Sequence, residues 1–394
     1  MNRTVLVAGV GMIPFSKPSA GLTYDAMGAS AARLALSDAG IGYQDVEQVY
    51  AGYVYGDSGS GHAAVYHLGL TTIPVFNVNS NCSSGSSALY LARQAVESGA
   101  AECVLVVGFE QMPKGALAQW FDDRPSPLVR FEESVATTRG WDKSTPFALQ
   151  FFGRAFEEHI LQHGTDPRTF AKIVVKARRH AAANPRAVFR EVITEEDVLG
   201  SQKVFGSMTR LECCPPTCGA AAAILCSTDF AQRHGLKPSV KIAAQSMTTD
   251  SPESFNDGDP IKVVGYDMTR KAAQAVYEKA GVGPRDIPVI ELHDCFAINE
   301  LISYEGLGLV DPGSGDAFVA DGRNTYGGQV VVNPSGGLLA KGHPLGATGL
   351  AQCAELVWQL RGQAGDRQVE GAHHGLQHNI GLGGACVVTL YEKI

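Results

Sequence analysis

Residues 27–53 read MGASAARLALSDAGIGYQDVEQVYAGY, and residues 268–294 read MTRKAAQAVYEKAGVGPRDIPVIELHD. Laid over each other without a gap, Met27 falls on Met268, Ala39-Gly40 on Ala280-Gly281, and Asp45 on Asp286. Each stretch carries apolar residues at three- and four-residue spacing, the mark of an amphipathic helix. Each helix then stops at a Gly placed where a left-handed cap is needed. A polar turn and an apolar strand follow. Two further pairs occur in the same order. Cys82-Ser83-Ser84-Gly85 matches Gly346-Ala347-Thr348-Gly349 as a Gly-rich turn opening a helix, and CGAAAAILCS (218–227) matches GGACVVTLYE (383–392) as a buried strand. The chain therefore reads as two pseudo-symmetric α/β halves, residues 1–120 with 212–235, and residues 236–394. Residues 121–211 have no counterpart in the second half and read as an inserted helical loop domain. Alternating strands and helices within each half predict a mostly parallel sheet covered on both faces.

Composition narrows the function. The 394 residues are 45% hydrophobic with a net charge of -8. That excludes wholesale disorder and argues against a nucleic-acid binder, which needs a basic face. No apolar run approaches the ~20 residues of a membrane span. The N-terminus reads as a first strand rather than a signal peptide. Glu392-Lys393-Ile394 is not a peroxisomal Ser-Lys-Leu signal, so the cytoplasm is the expected compartment. Nine Cys without a secretory signal are expected as reduced thiols.

Four stretches carry chemistry. In PVFNVNSNCSSGSSALYLARQAVESG (74–99) a strand meets a polar turn, and Cys82 stands at the helix start. Unpaired N–H groups and the helix dipole there would lower a thiol pKa, so Cys82 is a candidate nucleophile. In NPSGGLLAKGHPLGATG (333–349), His343 lies in a Gly-rich loop of the mirror half. Pseudo-symmetry would bring it towards Cys82, as a base faces a nucleophile. In VIELHDCFAINEL (289–301) a buried strand runs into His293, Asp294 and Cys295, where such groups line a cleft edge. In GLQHNIGLGGACVVTLYEKI (375–394), Gly383 and Gly384 could let backbone N–H groups approach an oxyanion. Cys213, Cys214 and Cys218 lack the spacing of a zinc site, and no metal is expected.

These motifs together resemble the thiolases, specifically the sterol-carrier-protein-2 type. NCSSGS around Cys82, HDCF at 293–296, GHPLGATG at 342–349 and HNIGLGGA at 378–385 carry the resemblance. It implies a five-layer αβαβα thiolase fold and a homodimer or dimer of dimers. It implies thiolytic cleavage of 3-oxoacyl-CoA to acetyl-CoA or propionyl-CoA and a shortened acyl-CoA, in lipid or sterol side-chain degradation. Cys82 would be the nucleophile, His343 its base, and His293 would place a water on the enolate. Cys295 would be the acid/base, because His378-Asn379-Ile380 stands where most thiolases carry a C-x-G cysteine. The backbone N–H groups of Cys82 and Gly384 would hold the second oxyanion. Coenzyme A would be a substrate, with no tightly bound cofactor. Its phosphates are expected near Arg178, Arg179, Lys203 or Arg210, with His180 and Arg186 as further candidates.

The resemblance also admits a C-acyltransferase of a natural-product complex or a thiolase-like aldolase. Both often work with a small zinc-ribbon/OB-fold partner of the DUF35 kind. A non-catalytic lipid-binding scaffold is a third reading, opposed by the intact Cys82, His293, Cys295 and His343. One departure stands out: where the family usually has Asp-Gly-Ala before the closing strand of the first half, this chain has Thr217-Cys218-Gly219, with Cys218 in place of the usual Asp.

Overall fold

The computed structural model describes residues 3–18, 20–115, 117 and 121–394. The first half runs β1 (Val5–Met12), α1 (Tyr24–Ala39), β2 (Gln48–Gly52), α2 (Ser60–Tyr66), β3 (Val75–Val78), α3 (Ser84–Ser98) and β4 (Cys103–Glu110). The insertion contributes α4 (Val129–Arg139), α5 (Phe147–His163), α6 (Pro167–Ala182), α7 (Glu195–Leu199) and the hairpin β5 (Lys203–Phe205) and β6 (Met208–Thr209). The chain then returns through β7 (Gly219–Ser227) and α8 (Thr228–Arg233). The second half runs β8 (Val240–Thr248), α9 (Pro260–Val263), α10 (Tyr266–Ala280), β9 (Val289–Glu291), α11 (Ala297–Gly306), α12 (Gly315–Ala320), β10 (Val331–Val332), α13 (Leu345–Arg361), β11 (His374–Gly381) and β12 (Ala385–Lys393).

The repeat read from sequence is a repeat of topology. One half orders its strands β3-β2-β4-β7-β1, and the other β10-β9-β11-β12-β8. The two sheets meet where β1 touches β8 through one antiparallel pair, Leu6 with Lys241. Gly40 and Gly281 both cap their helices in the left-handed region, at φ 73° and 70°. The expected mostly parallel sheet is instead mixed. Two pairings in each half are parallel, and β7 and β12 run against both neighbours. The reason for β12 is local. It pairs Ala385 with Gly381, and the intervening three residues can only return the chain beside itself.

Strands β1, β4 and β7 are buried at every position, so both faces of that sheet are covered. Their side chains alternate between two cores. Val104 and Val106 face α3 and α13, whereas Cys103, Leu105 and Val107 face α1. The α3/α13 core also takes Ile242, Val289 and Tyr391 from the second sheet. On the far side of that sheet, Ile290, Leu376 and Val388 share a third core with α10 and α11. The order is thus helices, sheet, α3 with α13, sheet, helices. The insertion adds Phe151, Phe156 and Phe170 to that third core and so packs on the second half.

Helices α3 and α13 abut through glycine. A Cβ on Gly346 would stand 2.5 Å from the carbonyl oxygens of Gly52 and Phe109. A Cβ on Gly85 would stand 2.5 Å from the Gly346 carbonyl oxygen. These obstacles are backbone and cannot swing aside. Gly346→Ala should therefore cost about 1–3 kcal/mol by overpacking, read as a lower midpoint in chemical denaturation.

Candidate active site

The loop that carries Cys82 is built by local hydrogen bonds. Ser83 N–H donates to Ser80 O (3.2 Å), and Ser84 N–H to Asn81 O (3.0 Å). Asn81 sits in the left-handed region at φ 51°, a conformation Asn tolerates better than most residues. Its Nδ2 donates to Leu382 O (2.6 Å), tying this loop to the turn that holds Gly383 and Gly384. Cys82 follows directly, just before α3.

The mirror loop brings His343, the candidate base, to Cys82. Cys82 Sγ and ring nitrogens of His293 and His343 lie within 4.8 Å of one another. The two imidazoles meet edge to face, with centroids 5.0 Å apart. Their tautomers follow from their partners. Thr348 Oγ1 donates its one proton to Pro344 O (3.0 Å), so it accepts from His343 Nδ1–H at 2.7 Å. The proton on Nδ1 leaves the Nε2 lone pair free, and that buried atom has no hydrogen-bond partner among the described residues. His343 thus offers a base to Cys82.

His293 is held the other way round. Tyr391 OH donates to Gln377 Oε1 (2.5 Å), and Gln377 Nε2 to Ser86 Oγ (2.8 Å). Ser86 Oγ then donates to Asn379 Oδ1 (2.8 Å), which turns Asn379 Nδ2 onto His293 Nδ1 (2.8 Å). The lone pair is consumed at Nδ1, so Nε2 carries the proton and donates. Gly349 leaves room for this relay: a Cβ there would stand 2.1 Å from Ser86 Oγ. The same N–H argues against a metal at this cluster, because a metal needs the lone pair that His293 turns away.

Burial governs the charges. It pushes the Cys82 thiol up to about 12, with the Glu110 carboxylate adding to the rise. The expected lowering by the helix dipole is therefore overturned: loss of water around the sulfur outweighs it. Burial, with the Lys341 charge, pushes His343 down to about 3. Burial and the neighbouring His343 and His378 hold His293 well below its usual range. The resting site is a neutral thiol facing a neutral imidazole, not a preformed ion pair.

Cys295 is buried, and its thiol is held well above the usual range by burial and then by Cys214, Cys82 and Asp294. Such a thiol is a proton donor at neutral pH. Cys214 N–H donates to Cys295 O (2.9 Å), Cys213 bridges Phe296, and Pro216 bridges His343. The 213–218 loop therefore runs between the two motifs. His378 accepts from His293 N–H at Nδ1 (3.5 Å) and reaches Thr269 Oγ1 through Nε2 (2.9 Å). It holds the HDCF backbone. Cys218 donates to Met112 O (3.6 Å) and lies in the field of Glu110. A carboxylate at 218 would add a second buried anion there, which the thiol avoids.

A cavity of about 1110 Å³ opens beside the loop that leads into Cys82. Tyr55, Asn79 to Asn81, Met247 and Gly381 to Ala385 form its wall, facing Trp141, Phe147 and Leu128 from the insertion. Its cations are Arg124 and Lys143. Arg178, Arg179, Lys203 and Arg210, the basic residues expected at CoA, do not line it. Arg178 is buried over the Phe189 ring at 4.3 Å, and Arg186 lies over Trp358 at 4.3 Å. His180 is held between Asn333 O and Thr325 Oγ1. Sequence reading singled out neither Thr348 nor the orienting role of Asn379, although both stand inside the quoted motifs. It weighed Cys214 only as a metal ligand, and it missed Glu110 and the cavity cations.

Thr348→Val should leave His343 Nδ1–H unpaired and its tautomer unfixed. Iodoacetamide should then modify Cys82 about 10- to 100-fold more slowly at pH 8, matching ~1–3 kcal/mol for an orphaned buried donor. Mass spectrometry of the Cys82 peptide over time reads this.

Comparisons with known proteins give the family. The model described as "Thiolase, N-terminal domain" matches residues 5–229, and "Thiolase C-terminal domain-like" matches 260–391. Sterol carrier protein 2 of Gallus gallus is 54% identical over 394 residues, covering 99% of this chain and 72% of that protein. The acetyl-CoA acetyltransferase of Methanothermobacter thermautotrophicus is 36% identical, covering 91% of this chain and 92% of its own. Among solved structures, an Ltp2-ChsH2(DUF35) aldolase superposes with a TM-score of 0.82 at 22% identity, covering 99% of this chain and 98% of that one. Human mitochondrial 3-ketoacyl-CoA thiolase in complex with CoA superposes at 0.73 and 20%, covering 100% and 98%. With both family models matched in chain order across the two halves, the chain belongs to the thiolase family of acyltransferases.

Proposed function

We propose that this enzyme cleaves 3-oxoacyl-CoA by thiolysis, using Cys82 as nucleophile. The observation that carries the reading is the free Nε2 lone pair of His343 beside the Cys82 thiol, with the His293 N–H completing the cluster. His343 takes the thiol proton as sulfur attacks the 3-keto carbon. The bond between the second and third carbons breaks, and its electrons pass to an enolate on the departing thioester. Protonated His343 and a water held by His293 Nε2–H stabilise that enolate. Cys295 protonates it, releasing acetyl-CoA or propionyl-CoA. The Cys295 thiolate then takes the proton of an incoming CoA thiol, which attacks the acyl-Cys82 thioester. Backbone N–H groups of Cys82 and Gly384 hold this second oxyanion, and His343 returns its proton to the departing Cys82.

The cavity suits both parts of such a substrate. Arg124 and Lys143 offer charge to CoA phosphates, in place of the basic residues expected from sequence. Trp141, Phe147 and Leu128 offer an apolar wall to the acyl or pantetheine chain. A lipid or sterol side chain is the acyl class the family resemblance suggests.

A second reading is favoured by the 0.82 superposition with the DUF35-partnered aldolase. A retro-aldol cleavage has no use for an acyl-accepting thiol, so intact Cys82 favours the C-acyltransferase form of it, with a zinc-ribbon/OB-fold partner. Incubation with acetoacetyl-CoA should add one acetyl group, mapped to Cys82. An unmodified Cys82 with turnover surviving Cys82→Ala would sink both acyl-enzyme readings. Cys295→Ala should still acylate yet lose about 10²- to 10⁴-fold in bond cleavage, and full activity would remove its role.

Homodimer formation is proposed through the edge strand β3, which pairs on one side with β2 alone. Phe76 on that strand is exposed and stacks on Tyr50, with Tyr66, Leu70 and Leu91 also exposed. An open apolar edge invites a second copy. Phe76→Lys should convert the dimer to monomer in sedimentation velocity, and a monomeric parent protein would refute the interface.

A further inference from the structure

Glu110 ends β4 and is 1% exposed. Its carboxylate accepts three backbone N–H bonds. Val54 N–H reaches Oε2 at 3.0 Å, Tyr55 N–H reaches Oε1 at 2.9 Å, and Gly346 N–H reaches Oε2 at 3.0 Å. The first two come from the loop after β2, in the half that carries Cys82. The third comes from the first turn of α13, which follows His343. That turn begins after Pro344 and has no side-chain cap of its own. Glu110 therefore caps it from the other half of the molecule.

Both clamped segments press on the nucleophile helix. A Cβ on Gly52 would stand 2.8 Å from the Ser84 carbonyl and 2.9 Å from Gly85 N. The Gly346 carbonyl lies where a Gly85 side chain would go. A shift of the clamp would thus move Cys82 relative to His343. The groups in the field of Glu110 are Tyr55, Cys82 and Cys218, and its charge raises the proton affinity of all three. Burial raises Glu110 itself to about 7, against the three N–H bonds that favour its charge.

We propose that Glu110 is a positioning residue for acyl transfer: one carboxylate holds the Cys82 and His343 loops in register across the two halves. The positioning of chemistry rests on the acyl-enzyme reading above, whereas the coupling between Glu110 and Cys82 can be measured without it.

The test uses the full chain with Glu110→Gln and Glu110→Asp. Gln removes the charge and turns an N–H₂ towards at least one of the three donors. With the anion gone, iodoacetamide modification of Cys82 should begin at lower pH in Glu110→Gln than in the parent. Its kcat with acetoacetyl-CoA should fall about 10- to 100-fold, with KM changed less than about 3-fold, because Glu110 does not line the cavity. Glu110→Asp keeps the charge on a shorter arm. It should retain the parent's pH profile for Cys82 while losing part of kcat. An unchanged profile and kcat in a folded Glu110→Gln would overturn the proposal, as would a rise in KM alone. If that variant does not fold, an Asp variant with parental kcat overturns it. Failure of both variants to fold does so too, by reducing Glu110 to a structural role. If the parent itself is never acylated, the functional reading fails instead, and the alkylation profiles still report the charge coupling.

Discussion

The contact between α3 and α13 is the constraint on which the site depends. Each helix begins next to one half of the chemistry, Cys82 before α3 and His343 before α13. They share a dry layer between two sheets, where α13 is buried along nearly all its length. Backbone meets backbone at Gly85 and Gly346 with no side chain between. A methyl group at either place would push the two helix starts apart. The distance between Cys82 and His343 is therefore set by the packing of the central layer.

The same dryness decides the electrostatics. A thiol at a helix start in water would be acidified by the dipole. Here the sulfur loses its hydration and keeps its proton, and the imidazole facing it stays neutral for the same reason. Under the proposed mechanism, activation then depends on orientation rather than on a standing charge. His343 must turn its lone pair inward and His293 its N–H. Two separate devices enforce this: a threonine hydroxyl for one ring, and a relay from Tyr391 to Asn379 for the other. Buried polar groups of this kind are satisfied along one direction only, so the tautomers are determined by the fold.

Much of the fold was legible because the chain repeats itself. Met27 over Met268 and Gly40 over Gly281 mark equivalent helices, and the strand orders of the two halves are identical. Sheet direction was less legible. A fully buried strand such as Val104 to Val107 reads the same whichever way its neighbours run. The three-residue turn at Leu382 to Gly384 was the available signal for antiparallel pairing. The basic residues show the opposite limit. Arg178 sits on an amphipathic helix with every appearance of a surface cation, yet its guanidinium lies over Phe189 away from the cavity. Arg124 and Lys143, in unpatterned loops on either side of α4, line the cavity instead.

The sequence by itself determined the two-half architecture and the candidate reactive groups, because periodicity and Gly-marked turns are local properties. Cys82, His343, His293 and Cys295 each stand at a strand or loop end that announces a site edge. Tertiary structure alone decided which nitrogen of each histidine carries its proton and that the thiol rests uncharged. It alone also placed Glu110 between the two loops. Each of these depends on partners hundreds of residues away and on the absence of water around them, and neither is written in local spacing.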